Sequence, residues 1–245
     1  MRKLRKKLTS LFYPNRCFIC DKILPHPETV CESCKAKLID YERISGAVCD
    51  VCGMKLQECN CRPGRLYEKA VFPLLFEDDV RVSLHRFKFR GRLDKAAPFA
   101  DAMLRALEAR DVLAETEILT FIPMSPKAQR RRGYNQAQIL CEELHKRTGL
   151  PMLPLLYKHG KNTAQHDTPN YLLRTGNTIG IYEPTPEYVN EIEGKRILLV
   201  DDILTSGATL NEAAKTLLIF GADRVYVAAA AATPKRKKRK SSSTN

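Results

Sequence analysis

The chain lacks any apolar run that approaches the roughly 18 residues of a membrane-spanning helix. It also lacks a good export signal. The start, MRKLRKKLTSLFYPNRC, is basic, but its apolar part from Leu8 to Tyr13 is short and broken by Thr9 and Ser10. The expected location is therefore cytoplasmic, with no membrane span. No GxxxxGK(S/T) motif occurs, which argues against a P-loop nucleotidase. The histidines, His26, His85, His145, His159 and His166, lack metal-ligand spacing. No internal repeat is present apart from pairs of cysteines.

Positive charge is abundant, but it is unevenly placed. The formal net charge is +13. Five cations fall in residues 1–7 and six in KRKKRK at 235–240, and neither stretch contains an acid. Without them the body holds 30 basic and 28 acidic residues, a net of +2. Such tails can hold nucleic acid or an acidic surface through counterion release. A solvated, disordered terminus is the commoner meaning of a lone basic run.

Eight of the nine cysteines lie in residues 17–61 and come in close pairs: Cys17 and Cys20, Cys31 and Cys34, Cys49 and Cys52, Cys59 and Cys61. A two-residue gap lets both thiolates of a knuckle reach one zinc ion, and eight ligands make two four-cysteine sites. Closed sites of this kind leave no open position, so two structural zinc ions are expected. The simplest pairing is sequential, and an interleaved pairing is the alternative. The last pair has only one intervening residue and is tighter than an ordinary knuckle. The module holds five basic and seven acidic residues between its outer cysteines, so it is no basic grip for nucleic acid.

Four segments follow from these signals: a basic lead at 1–16, a double zinc ribbon at 17–64, a larger domain at 65–232 and a disordered basic tail at 233–245. In the lead, Leu4, Leu8, Leu11 and Phe12 share a helical face, and Pro14 ends it. Pro63-Gly64 marks a boundary. Residues 66–76 read as extended. A helix is expected over 78–90, with Val80, Leu84 and Phe87 on one face. Arg81 to Lys95 contains six cations and one acid, Asp94. The interleaved Phe87, Lys88, Phe89 and Arg90 suit either a buried aromatic face with solvated cations or contact with phosphate or single-stranded nucleic acid.

A second helix is expected from about 93 to 110, and a buried strand at 117–123. A turn-rich loop, Met124 to Lys127, comes next and leads to QRRRGYNQ at 129–136. The following helix should run to Thr148, with Gly149 as its C-cap and Pro151 beyond. Cys141 lies on the apolar face of that helix as a core residue. Residues 152–156 and 179–182 read as short strands around a polar stretch at 157–178. A stretch of that length inside an α/β domain is usually a functional loop. Strands at 195–202 and 224–231 flank a helix at 208–220. The alternation argues for a mostly parallel sheet flanked by helices.

The most informative stretch is ILLVDDILTSGAT at 197–209. Four apolar residues lead into Asp201 and Asp202, then a hydroxyl-rich loop with one glycine, then a helix. Ligands of parallel sheets bind beyond the C-terminal strand ends. Backbone N–H groups from Thr205 through Ser206, Gly207, Ala208 and Thr209 suit a monophosphate. The carboxylates suit sugar hydroxyls or a nearby magnesium ion. The loop Ser125, Pro126 and Lys127, with Arg131 and Arg132, offers cations for a pyrophosphate. Cations at a helix start oppose its dipole, which mildly favours a functional reason for them. Asn135 and Gln136 are expected to fix that loop to its helix.

VDDILTSGAT resembles the phosphoribosyl pyrophosphate (PRPP) signature of type I phosphoribosyltransferases. With the paired cysteines, HRFKFRG at 85–91 and IPMSPKAQRRRGYNQAQ at 122–138, the chain resembles the competence-associated ComF family over about 17–231. The resemblance implies a type I phosphoribosyltransferase fold with a small N-terminal double zinc ribbon. It also implies PRPP and Mg2+ as ligands, with Asp201, Asp202, Lys127, Arg131 and Arg132 as catalytic candidates. By position in the 157–178 loop, Gln165 and Arg174 join the ligand contacts. Ser206 stands where a second Thr is frequent, and the resemblance is silent on the tail at 235–240. The expected function is PRPP binding and phosphoribosyl transfer to an amine, a base or water, with a link to DNA uptake. The alternatives are a single-stranded DNA-binding factor that works with DNA-uptake proteins, or a regulator that binds PRPP without turnover.

Overall fold

The computed structural model describes residues 14–44, 46–59, 61, 64–158 and 180–234. Its centre is a four-stranded, wholly parallel sheet: β1 (Ala70–Val71), β2 (Ile118–Phe121), β5 (Arg196–Leu204) and β6 (Arg224–Ala232), in the order β1-β6-β5-β2. Parallel strands covered on both faces read as unbroken apolar runs. RILLV in β5 and VYVAAAAA in β6 are such runs, and nearly every residue in them is buried. A separate antiparallel pair, β3 (Leu156–Lys158) with β4 (Tyr182–Pro184), stands apart from the sheet.

Helices supply the layers. α1 (Glu32–Lys35) belongs to the cysteine module. α2 (Asp78–Phe89) buries Val80, Leu84 and Phe87, the face expected from the sequence. α3 (Ala96–Glu108) follows a short 3-10 turn at Leu93–Lys95, so the single helix expected over 93–110 begins in a tighter coil. α4 (Pro126–Arg132) occupies part of what reads as a loop in the sequence. Ser125 caps it by accepting from the Ala128 amide at 3.3 Å, Pro126 takes its first turn, and Gly133 ends it at φ 84°. α5 (Gln136–Thr148) and α6 (Ala208–Ile219) complete the set. Asn135 holds the corner between α4 and α5. Its side chain accepts from the Ala137 and Gln138 amides and donates to the Ile122 carbonyl at 2.9 Å.

The cysteine module covers the β1 edge of the sheet. Ala70 N–H donates to the Val51 carbonyl at 3.0 Å, and Ile39 N–H to Pro73 at 2.8 Å. Tyr41 donates its hydroxyl to Phe72 at 2.9 Å. Gly53 packs so closely that a Cβ there would lie 2.3 Å from the Ala70 carbonyl oxygen. An edge strand that would otherwise expose its amides is thereby paired. A second anchor joins the first knuckle to α2 and α3. Lys95, 1% exposed, donates to the Phe18 carbonyl at 2.9 Å and to Asp21 at 2.7 Å, and Arg86 also pairs with Asp21. Burial lowers the Lys95 ammonium to about 8. No helix among the described residues is long and apolar enough to cross a membrane.

Candidate ligand site and metal centres

The eight paired cysteines form two clusters in sequence order, Cys17, Cys20, Cys31 and Cys34, then Cys49, Cys52, Cys59 and Cys61. All sulfurs of a cluster lie within 4.8 Å of one another. Cys20 and Cys31 lie 3.7 Å apart, Cys52 and Cys59 3.7 Å, and Cys49 and Cys61 3.8 Å. Tetrahedral zinc with bonds of about 2.3 Å sets sulfur–sulfur edges of about 3.8 Å, whereas a disulfide needs about 2.05 Å. The donor set and spacing fit zinc, and the sequential pairing is the one realised. The single-residue gap of the last pair does not prevent a full set of four. Cys141 is separate. It is buried beside the Thr120 carbonyl, and burial raises its thiol pKa.

The candidate ligand site forms where β5 overshoots β2. The last rung opposes Phe121 to Val200, while β5 continues beside β6 to Leu204. Asp201 and Asp202 therefore lie inside the strand, not at its end, and beyond the reach of β2. Asp201 Oδ1 accepts from the Asp202 amide at 2.8 Å. Asp202 is 8% exposed, and its Oδ2 lies 2.7 Å from Lys88 Nζ. Burial, and then the charge of Asp202, push the Asp201 carboxyl well above the usual carboxylate range, while the Asp202 amide and Lys88 oppose them.

After Leu204 the loop turns sharply. Gly207 has φ 76° and precedes α6, Ser206 Oγ accepts from Ala208 N–H at 3.3 Å, and Thr205, Ser206, Ala208 and Thr209 are exposed. The loop opens α6, so its amides sit at the positive end of that helix dipole.

The neighbouring β2 leads to the second predicted loop. Lys127 and Arg131 are exposed on α4. Arg132 is engaged: it donates to Gln136 Oε1 at 2.7 Å and stacks its guanidinium 5.1 Å from the Phe89 ring. Gln165 and Arg174 lie outside the described residues, as do His159 and His166.

Two residues join the site without having been singled out for it. Lys88 comes from HRFKFRG: with Phe87 in the core, the next residue turns toward the acids. Its segment is stitched to the α4–α5 corner, since Tyr134 donates to the Phe87 carbonyl at 2.5 Å and Gln136 to Lys88 at 3.3 Å. The alternation of aromatic and cation was visible in sequence, but its partner Asp202, more than 100 residues on, was not. Arg65, in the stretch leaving the ribbon, donates to the Ser206 carbonyl at 2.7 Å. Nothing in the sequence marks it.

A parallel sheet flanked by helices, with two carboxylates past the end of β2 and a glycine loop opening α6, is the architecture that the family comparison also gives. The chain belongs to the phosphoribosyl transferase domain family, which matches residues 91–244, and a double zinc ribbon domain matches residues 8–66. Within that class the ComF resemblance also holds. The chain is 28% identical over 225 residues to competence protein ComFC of Bacillus subtilis strain 168, covering 82% of this chain and 88% of that protein. It is 28% identical over 230 residues to competence protein F of Haemophilus influenzae, with coverages of 88% and 96%. DNA utilization protein YhgH of Escherichia coli K12 is 24% identical over 227 residues, with coverages of 89% and 96%.

Proposed function

We propose that the protein binds PRPP with magnesium and transfers the phosphoribosyl group. The observation that carries this reading is the joint placement of the acid pair and the open loop Thr205–Thr209 at the end of β5, beside the Ser125–Lys127 corner after β2. In this reading the loop amides and the hydroxyls of Thr205, Ser206 and Thr209 hold the 5-phosphate. Asp201 and Asp202 accept from the ribose hydroxyls. Ser125 and Pro126 shape the corner where Lys127 and Arg131 face the departing pyrophosphate, with Arg132 held behind them against Phe89. Magnesium, when bound, neutralises pyrophosphate oxygens, and an acid pair made only of oxygen donors suits it. Fixed carboxylates and cations stabilise the charge that develops as the anomeric carbon separates from pyrophosphate. The expected setting is the cytoplasm, where thiolates stay reduced for zinc.

Calorimetry with PRPP and Mg2+ tests this reading on the wild type and on the Asp201→Asn, Asp202→Asn double variant. Binding by the first and at least tenfold loss in the second are expected. No binding by the wild type sinks it.

A second reading has its own observation. A cleft of about 610 Å3 beside α2 is lined by Arg81, Val82, His85, Arg86, Arg90 and Arg92, of which Arg86 and Arg92 are paired with Asp21. Phe89 beside it is 53% exposed and lies 4.7 Å from the His85 ring. Cations with an exposed aromatic suit single-stranded DNA, and the similar proteins are named for competence and DNA utilization. Salt-dependent binding of single-stranded DNA that persists without residues 235–245 supports it, whereas binding that disappears with the tail refutes it.

A further inference from the structure

We propose that Arg65, carried on the stretch that leaves the second zinc cluster, is a phosphate-binding residue of the loop at the end of β5. The stretch that joins the ribbon to the larger domain would then contribute to the ligand site. This deepens the PRPP reading and rests on it for the identity of the sugar phosphate.

The position of Arg65 is fixed from several sides. Its Nη2 donates to the Ser206 carbonyl at 2.7 Å. The guanidinium lies against Gly207, where an added Cβ would fall 2.0 Å from Nη1 and 2.9 Å from Cζ. Its neighbour Leu66 donates its amide to Asn211 Oδ1, on α6, at 2.8 Å. Its other face lies over the ring of the buried Tyr67, 5.5 Å from the centroid. The arginine is thus held by the loop, by α6 and by an aromatic platform.

This placement is electrostatically unfavourable on its own. A guanidinium beside the first turn of α6 faces the positive end of the helix dipole. Among the described residues no carboxylate pairs with Arg65. One acceptor, the Ser206 carbonyl, occupies one of its five N–H donors. A phosphate dianion on the loop would turn the repulsion into attraction. The planar fork of arginine then adds charge-assisted bonds that a lysine cannot reproduce. Gly207 matters twice: its φ of 76° makes the turn, and its missing side chain admits the guanidinium. The chemistry selected is a phosphomonoester, as in a sugar 5-phosphate, and not the pyrophosphate end of the ligand.

The test uses the full zinc-loaded chain. In 15N NMR, inorganic phosphate is titrated while the amides of Gly207 to Thr209 and the Arg65 Nε–H are followed together. Calorimetry then compares ribose 5-phosphate, PRPP with Mg2+, and pyrophosphate with Mg2+ on the wild type, Arg65→Ala and Arg65→Lys. Expected results are joint movement of Arg65 and the loop amides, and about tenfold or greater loss of affinity for both sugar phosphates in Arg65→Ala. Recovery in Arg65→Lys should be partial, pyrophosphate binding unchanged, and both variants should retain two zinc ions per chain.

Loop amides that move while Arg65 stays still overturn the proposal. So do absence of any phosphate binding, tighter binding by Arg65→Ala, or equal loss for pyrophosphate. A wild type that binds inorganic phosphate through Arg65 but not PRPP leaves this assignment standing and removes the PRPP reading.

Discussion

Replacing Lys88 by Met tests whether the acid pair depends on its internal counterion. The ammonium lies 2.7 Å from Asp202, with side-chain exposures of 25% and 11%. At an effective dielectric near 20 the direct attraction is about 6 kcal/mol. Desolvation of both groups offsets much of it. Removing one partner of a half-buried pair should then destabilise the ligand-free chain by about 2–3 kcal/mol. For a chain of this length that corresponds to about 4–12 °C in Tm.

The effect has a pH signature. The Asp201 carboxyl is raised by burial and by Asp202, and Lys88 opposes both. A carboxyl with a raised folded-state pKa destabilises the fold as pH climbs from the unfolded value through the folded one. Loss of Lys88 steepens that slope. The Lys88→Met deficit, measured by thermal scanning at fixed zinc loading, should be larger near about pH 8 than near about pH 5. In an Asp202→Asn background the same substitution should cost less, because the direct ion pair is already gone and only the weaker action on Asp201 remains. A deficit that is independent of pH, or equal in the two backgrounds, refutes the assigned coupling.

Further outcomes follow from neighbouring features. Gly207→Ala should destabilise the chain by about 1–2 kcal/mol, through its positive φ and the contact with Arg65. Urea titration should recover part of that loss in the Arg65→Ala, Gly207→Ala double variant. Thiol titration of the native zinc-loaded protein should find almost no fast-reacting cysteine, because eight are ligands and Cys141 is buried with a raised thiol pKa. In denaturant with a chelator all nine should react, and metal analysis before that step should return about two zinc ions per chain. Asp21→Asn removes the carboxylate shared by Lys95, Arg86 and Arg92, so limited proteolysis should release the first knuckle from α2 and α3 sooner than in the wild type.

Much of the sheet was legible in the residues. The apolar runs within 195–202 and 224–231 read as buried strands, and the paired cysteines as two small metal clusters. Local chemistry also announced Gly149 as a C-cap, and Asn135 as a residue that ties the loop to its helix. What escaped was of two kinds. Element ends moved where tertiary pairing overrode the local signal. β5 runs two residues past its acids because β6 continues beside it, and α4 forms within a turn-like sequence because Ser125 caps it. Partners far apart in the chain escaped as well. Lys88 meets Asp202, and Arg65 meets Ser206, only after the sheet has closed and the ribbon has docked. No periodicity within a window of ten or twenty residues encodes either meeting. For the site itself, the acids and the glycine loop were readable, while the cations already in contact with them were not.

The overshoot of β5 has a consequence for how many hydroxyls the acid pair can recognise. Past the end of β2, the Asp202 amide has lost its strand partner, and Asp201 Oδ1 takes that place. Lys88 occupies Asp202 Oδ2. Among the described residues that leaves one uncommitted oxygen on each aspartate, Oδ2 of Asp201 and Oδ1 of Asp202. Two uncommitted acceptor oxygens on adjacent residues suit two adjacent hydroxyls. In the PRPP reading, a sugar that lacks one of those hydroxyls would leave an acceptor unpaired, so the backbone shortage at a sheet edge would favour ribose over deoxyribose.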